Sequence, residues 1–319
     1  MLTGKCTEKR HRFPLPGPEG LAARASFPNI VLSRALPGPQ PGRIAWGMTA
    51  SVFLSSALAR TLDLRVPSNR WAAAGLLGGA ALARLGGRSW VSSASTGLSA
   101  FAAWATAREL DPDHPMTANA ALPVTLALAL LEKEENTAQA AGNILAALVA
   151  LSSARILTAS VGRVPSATDQ AALAAQAVMG AAAGQHAAAL LPGASLALSA
   201  QQNDEFALKE SWSAAAALIA GLLPALLSTH APGKAGMAEL ATAGALLAAP
   251  QLLERRAVSS ETDAGHSTIS SERVHLSHLL ALGGLALGGV LGQSRAQLPL
   301  AVATLATAVM RRGEAQARS

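Results

Sequence analysis

Three stretches of the chain carry the same punctuation: ARTLDLRVPSNRWAAA (59–74), ARELDPDHPMTANAA (107–121) and ARILTASVGRVPSATDQAA (154–172). Each reads Ala-Arg-x-Leu, a polar stretch, a proline and an alanine-rich run, and the spacing between starts is 48 and then 47 residues. Such a period predicts a helix hairpin as the repeating unit, one helix ending near the arginine and the next beginning after the proline. An arginine suits the negative end of a helix dipole, and Ser68, Thr117 and Ser166 are the N-caps this pattern suggests. The weak hairpin repeats therefore start near 59, 107 and 154. Beyond residue 200 two further hairpins are similar only in length.

Between these polar stretches the charges vanish. Runs without Asp, Glu, Lys or Arg cover 44–59, 71–83, 89–107, 114–131, 136–154, 170–203, 211–233, 240–253, 274–294 and 296–310. A soluble amphipathic helix places charges along one face every few residues, whereas here they sit between segments. Several runs reach the ~20 residues that span a bilayer core, while 71–83 and 296–310 fall short. Trp46, Trp71, Trp90, Trp104 and Trp212 lie near run ends, where indoles meet a headgroup layer. The expected fold is an all-α, polytopic membrane bundle of about ten short Ala/Leu/Gly-rich helices arranged as hairpins.

Composition agrees with that expectation. Half the 319 residues are hydrophobic, 14% are charged and 3% are aromatic, with no tyrosine; soluble domains carry about 25% charge. The net charge of +6 does not form a basic stripe with interleaved aromatics, so nucleic acid is not an expected partner. A single cysteine, Cys6, rules out an internal disulfide and a cysteine metal cluster. Residues 1–43 are basic and rich in Pro and Gly, and read as a disordered tail without a secretory h-region; Met48 is an alternative start. The helical domain is expected over 44–311, with a polar loop at 257–273 and a C-terminal tail at 312–319.

Glycine spacing points to close helix packing. In HLLALGGLALGGVLG (278–292), Gly284, Gly288 and Gly292 fall four apart, with Gly283 and Gly289 beside them. Each costs roughly 1 kcal/mol against alanine in a water-exposed helix, whereas in lipid such spacing lets backbones approach. Gly75 with Gly79 and Gly180 with Gly184 repeat the pattern, and these glycine faces could also pair copies of the chain in a homo-oligomer.

The candidate site residues fall into two groups. Arg108, Glu109, Asp111, Asp113 and His114 form the densest ionisable cluster, expected to be a solvated helix-capping loop; a divalent metal or a polar headgroup is the alternative. Asn143, Gln176, Gln185 and His186 are polar residues inside apolar runs, where a polar group is either an interhelical hydrogen bond or part of a relay. His275 and His278, one turn apart, lack the further ligands that zinc requires. No P-loop, dinucleotide fingerprint, Gly-x-Ser-x-Gly, His-Glu-x-x-His or Cys-x-x-Cys occurs, and no cofactor is predicted.

The stretch LDPDHPMTANAALPVTLALALL (110–131) resembles one unit of a HEAT-type helical repeat, with its Asp-Pro turn and alanine-leucine helix. The resemblance covers one repeat and implies a soluble helical scaffold, although such repeats carry charged outer faces absent here. Three functions are thus expected in order: small-molecule transport or permeation, a membrane enzyme working at the headgroup level through residues 109–114, and a soluble repeat scaffold. The bilayer is the expected partner and the cell membrane the expected location, with both termini cytoplasmic because Arg311, Arg312 and Arg318 join the basic tail on one side.

Overall fold

The computed structural model describes residues 56–60, 62–133, 136–209, 212–227, 236–265 and 267–318. The expectations for residues 1–43, Met48 and Trp46 lie outside them. Among the described residues there are eleven helices: α1 (Pro67–Leu85), α2 (Trp90–Leu110), α3 (Pro115–Leu131), α4 (Thr137–Thr158), α5 (Ala167–Ala182), α6 (His186–Ala200), α7 (Trp212–Leu227), α8 (Met237–Leu247), α9 (Ala249–Leu253), α10 (Ser271–Val290) and α11 (Leu298–Arg318). No strand forms among the described residues; an isolated Glu261–Thr268 bridge closes part of the loop before α10.

Local chemistry explains the boundaries. Ser89 caps α2 by accepting from Ser92 N at 3.2 Å, and Asn136 caps α4 by accepting from Gln139 N at 2.9 Å. Ser166 and Asp169 form a reciprocal capping box at α5. Ser68 and Thr117 are not caps: Pro67 and Pro115 take the first helical position, where a missing N–H costs nothing, and the caps are Val66 and His114. The run 170–203 contains two helices, because Gly184 turns the chain at φ 75°. Pro250 separates α9 from α8 in the same way, its ring clashing with the preceding turn. α11 continues through the residues expected to form a C-terminal tail.

The helices run up and down between two polar ends. One, the arginine end, gathers residues 56–66, 111–114, 159–166, 201–209, 254–270 and the last turns of α11. There Arg273 Nη1 donates to Leu157 O at 3.0 Å, His278 lies between the carbonyls of Leu110 and Leu252, and Arg256 Nη2 donates to Arg311 O at 3.1 Å. The other, the glutamine end, gathers 86–89, the described part of 132–136, 183–185 and 291–297. Here Arg88 Nη2 donates to the carbonyls of Leu130 and Glu132, Ala238 N to Glu132 Oε1, and Gln293 Nε2 to Gly184 O. With α8 and α9 taken together, the described helices make ten passes between the ends. α11 packs on α2 and α10 on α6, so distant parts of the chain close over a shared core of Ala72, Ala103, Leu110, Ala121, Leu285 and Ala301.

Small residues make that closure possible. An added Cβ at Gly97 of α2 would lie 2.2 Å from Leu76 O of α1, and one at Gly193 of α6 would lie 2.6 Å from Leu218 N of α7. Among the glycines expected to pack, Gly75 faces Leu122, Gly79 faces Leu126 and Gly97, Gly180 faces Ala189, Gly284 faces Leu191 and Gly288 faces Gln297. Gly184 and Gly292 do not belong to that set, because both have positive φ, 75° and 67°, and turn the chain at helix ends.

Among the described residues α4 is the one helix long and apolar enough by itself to cross a bilayer; α3, α6, α8 and the Trp212–Leu222 part of α7 are apolar but shorter. The ten separate spans expected from the charge-free runs are therefore not matched helix by helix.

Candidate functional site

The last turn of α2 divides its charges between the interior and a cleft. Glu109 is completely buried. Its Oε1 accepts from Arg155 Nε at 2.9 Å and faces Arg60 Nη1 at 3.5 Å; its Oε2 accepts from Thr158 Oγ1 at 3.3 Å and from Ser160 Oγ. With both oxygens engaged, Glu109 acts as a structural anchor and not as a free base. Arg155 Nη1 also donates to Leu58 O at 2.8 Å, and Arg60 pairs with Asp263. Burial disfavours the Arg60 cation, yet Glu109 and Asp263 outweigh that penalty and raise its pKa above the ordinary arginine value.

Arg60, Arg108 and Arg155 are the arginines of the three Ala-Arg-x-Leu stretches. A 47- or 48-residue period returns each to the same end of the bundle, and together with Arg163 they line a cleft of about 430 Å³. Apolar parts of its wall come from Leu62, Val66, Phe101, Trp104 and Leu151. Arg108 stacks over Trp104, its guanidinium carbon 5.2 Å from the ring centroid, and Nη1 donates to Asn69 Oδ1 at 3.2 Å. Asn69 is held in turn by donating Nδ2 to Asp63 O at 2.9 Å. Among the described residues no carboxylate oxygen lies within 4 Å of Arg108 or Arg163, whereas Arg60 and Arg155 share Glu109 and Arg60 also pairs with Asp263. Trp104 Nε1, in the same wall, has no hydrogen-bond partner among the described residues.

The neighbouring loop does cap helices, Asp111 ending α2 and His114 preceding α3, but its carboxylates are not simply solvated. Asp111 is buried, accepts from Thr117 Oγ1 at 2.6 Å and contacts His114 Nδ1 at 2.8 Å. His114 Nε2 meets Glu314 from α11. Asp113 accepts from Ser259 N at 3.0 Å and Ser260 N at 2.8 Å, tying this loop to the one before α10. Burial opposes ionisation of Asp113, but these donors hold its pKa below the ordinary value. Burial likewise opposes the His114 cation, whereas Asp111 and Glu314 raise its pKa above 6.5. A second cavity of about 590 Å³ lies beside Asp113, His114, Arg256, Arg311 and Glu314, but its charges neutralise one another: Arg256 reaches Glu254 at 3.1 Å and Glu314 at 3.2 Å. Among the described residues no three His, Cys, Asp or Glu side chains converge to hold a metal, so the acidic loop and His275 with His278 form no such centre.

The polar residues inside apolar runs lie elsewhere. His186 opens α6 at the glutamine end instead of sitting mid-helix, because Gly184 breaks the helix before it; Gln185 is its N-cap. Next to them Gln293 Oε1 accepts from Ala187 N at 2.9 Å. Asn143 is buried on α4, and Gln176 is half-buried on α5. None of these four reaches the cleft. Conversely, Asn69, Trp104, Arg163 and Asp263 were not singled out as site residues from sequence. The sole sequence signal that placed any of the cleft was the recurring Ala-Arg-x-Leu.

The fold and cleft thus define an all-helical bundle with arginines above an aromatic wall at one end. No protein-family model, curated protein or solved structure matches the chain.

Proposed function

We propose that the chain is a multi-pass membrane protein whose working face is the arginine end, where a ligand is bound at headgroup depth. The observation that carries this reading is the distribution of polarity over the bundle. Large apolar side chains are exposed on the outer faces of its helices, Leu77 at 70%, Ile219 at 61% and Leu240 at 67%, while charges concentrate at the two ends. Exposure of this kind around a bundle is costly in water and natural in lipid.

The polar residues that lower the hydropathy of α2 support the same reading. Ser92, Ser93, Ser95, Thr96 and Ser99 are all buried, and so face other helices instead of the surroundings. Exposed Trp71, Trp90 and Trp212 sit in the first turns of α1, α2 and α7, as in the aromatic belts of bilayer proteins. α4, 22 residues long, spans about 33 Å at 1.5 Å per residue. Lys and Arg concentrate at the arginine end, while Arg84, Arg88, Lys133 and Arg295 mark the other, which favours a cytoplasmic arginine end.

Binding at one face is better supported than permeation through the bundle. The clefts beside Arg108 and His114 both lie at the arginine end, and the bundle interior beneath Glu109 is closed by packed alanine and leucine. The chain should remain with membranes through alkaline carbonate extraction and need detergent for release. Recovery of folded, monodisperse protein without detergent would overturn the membrane part of the proposal.

A further inference from the structure

We infer that the cleft beside Arg108 is a binding site for an anionic amphiphile: a phosphate or carboxylate headgroup on the arginines, with an apolar chain against Trp104, Phe101 and Leu151. The inference rests on the arginine end being the working face, and it names the ligand chemistry of that face. Its volume, about 430 Å³, lies within the range of small-molecule sites.

Charge accounting selects the sign of the ligand. Arg60 and Arg155 spend their charge on Glu109 and Asp263, and Arg155 adds a bond to Leu58 O. Arg108 and Arg163 have no carboxylate within 4 Å among the described residues; the lining also holds Asp63, so four arginines face three carboxylates, Asp63, Glu109 and Asp263, and the cleft keeps a net positive charge and free guanidinium donors. A half-buried guanidinium held by a neutral amide and an indole face retains N–H donors for an incoming oxygen, and guanidinium geometry matches phosphate and carboxylate oxygens in pairs. Trp104 Nε1 is a further donor without a protein acceptor in the same wall.

The apolar wall selects an amphiphile over a bare ion. Phe101 and Trp104, one to two turns before Arg108 on α2, line the cleft together with Leu151, Leu62 and Val66. An inorganic anion would leave that surface unused, whereas a short acyl chain would bury it, gaining roughly 25 cal/mol per Å². Arg108 is thus a ligand-contacting residue, and Asn69, which also lines the cleft, positions its guanidinium beside Trp104.

The test is titration of the purified full chain with dihexanoyl phosphatidate, octanoate, dihexanoyl phosphatidylcholine and inorganic phosphate, read as ligand-dependent thermal shift and by calorimetry. Phosphatidate or octanoate should bind saturably, with phosphatidylcholine and inorganic phosphate at least ~10-fold weaker; whichever anionic amphiphile binds tighter identifies the headgroup. Arg108→Gln should weaken the anionic amphiphile by ~10-fold or more, since it removes a charge-assisted contact. Asn69→Ala should weaken it less and leave the order of ligands unchanged. Should Arg108→Gln fail to fold, exposed Arg163→Glu should still weaken binding by ~5-fold. Equal binding by wild type and these variants would overturn the inference, as would inorganic phosphate or phosphatidylcholine binding as tightly as phosphatidate. The titration can be run in detergent or in buffer, so detergent-free recovery with Arg108-dependent binding removes only the membrane reading. Membrane retention without Arg108 dependence removes only the ligand site.

Discussion

The two polar ends of the bundle solve the same problem differently. At the glutamine end, Arg88 caps the carbonyls of α3, Gln293 bridges the α5–α6 turn and Glu132 receives the first turn of α8. These are helix-terminus bonds between one side chain and the backbone, joining segments 42 to 109 residues apart. At the arginine end a fully buried carboxylate collects two arginines and two hydroxyls from two stretches, residue 60 and residues 155–160, both far from it in sequence. Arg273, also buried, ties α10 to Asp204 and to the carbonyl of Leu157. Bonds from a side chain straight to a backbone group bring the helix ends close, and the cavity beside Arg88 and Glu132 is about 20 Å³. Convergent pairing leaves clefts at the arginine end, where Arg60, Arg108, Arg155 and Arg163 outnumber the carboxylates Asp63, Glu109 and Asp263.

Breaking Glu109 is the strongest way to challenge that contrast. Glu109→Gln would leave Arg60 and Arg155 facing a neutral amide in a buried site, and removal of one partner of a buried pair costs about 3–5 kcal/mol. The matched change at the other end, Arg88→Gln, removes half-buried bonds to carbonyls and should cost about 1–2 kcal/mol. Thermal unfolding of both variants checks the comparison; equal losses would show that the two ends are not differently built.

Packing should come next in size. Gly97→Ala places a methyl group against Leu76 O, a backbone atom that cannot swing aside, and overpacking of this kind costs about 1–3 kcal/mol. An added Cβ at Gly78, one turn from the same contact, meets nothing within 4 Å. Gly78→Ala should be neutral or slightly stabilising, by up to about 1 kcal/mol. A Gly97→Ala protein that unfolds at the wild-type temperature would refute the close approach of α1 and α2. Gly288→Leu is a less decisive test, since the neighbour of Gly288 is the Gln297 side chain, which can move.

The smallest expected effect is a pH dependence confined to the arginine end. His114 bridges Asp111 and Glu314, and those carboxylates raise its pKa above the ordinary 6.5 despite opposing burial. A raised cationic group adds stability below its unfolded pKa and loses it as pH rises through the folded one. Stability should therefore fall as pH is taken from about 6 upward through the folded value, modestly because the side chain is 36% exposed. His114→Gln should flatten that slope, as read from melting temperatures at fixed ionic strength; a wild-type profile already flat would remove the bridge from the account. Asp111→Asn and Asp113→Asn, neutral changes for a solvated cap, should both destabilise, because each carboxylate accepts bonds from other segments.

The sequence by itself determined the helices and their hairpin order. Charge-free runs, Ser166 with Asp169 and prolines before alanine-rich stretches are local signals, and helix formation answers to local signals. The 47–48-residue spacing even returned Arg60, Arg108 and Arg155 to one end, since two helices of similar length bring the chain back to where it began. Which neighbour each arginine meets was decided only by tertiary structure. Arg108 and Glu109 are adjacent in sequence, yet the ~100° turn between successive helical residues sends one to the cleft and the other to the core. Only the positions of α4 and of the loop at 263 make Glu109 the shared partner. His186 shows the converse: a local break at Gly184, a positive-φ turn readable only in three dimensions, put it at a helix start instead of within one helix of the 170–203 run. Burial and pairing depend on segments up to about 200 residues apart, and no spacing rule within one segment carries that information.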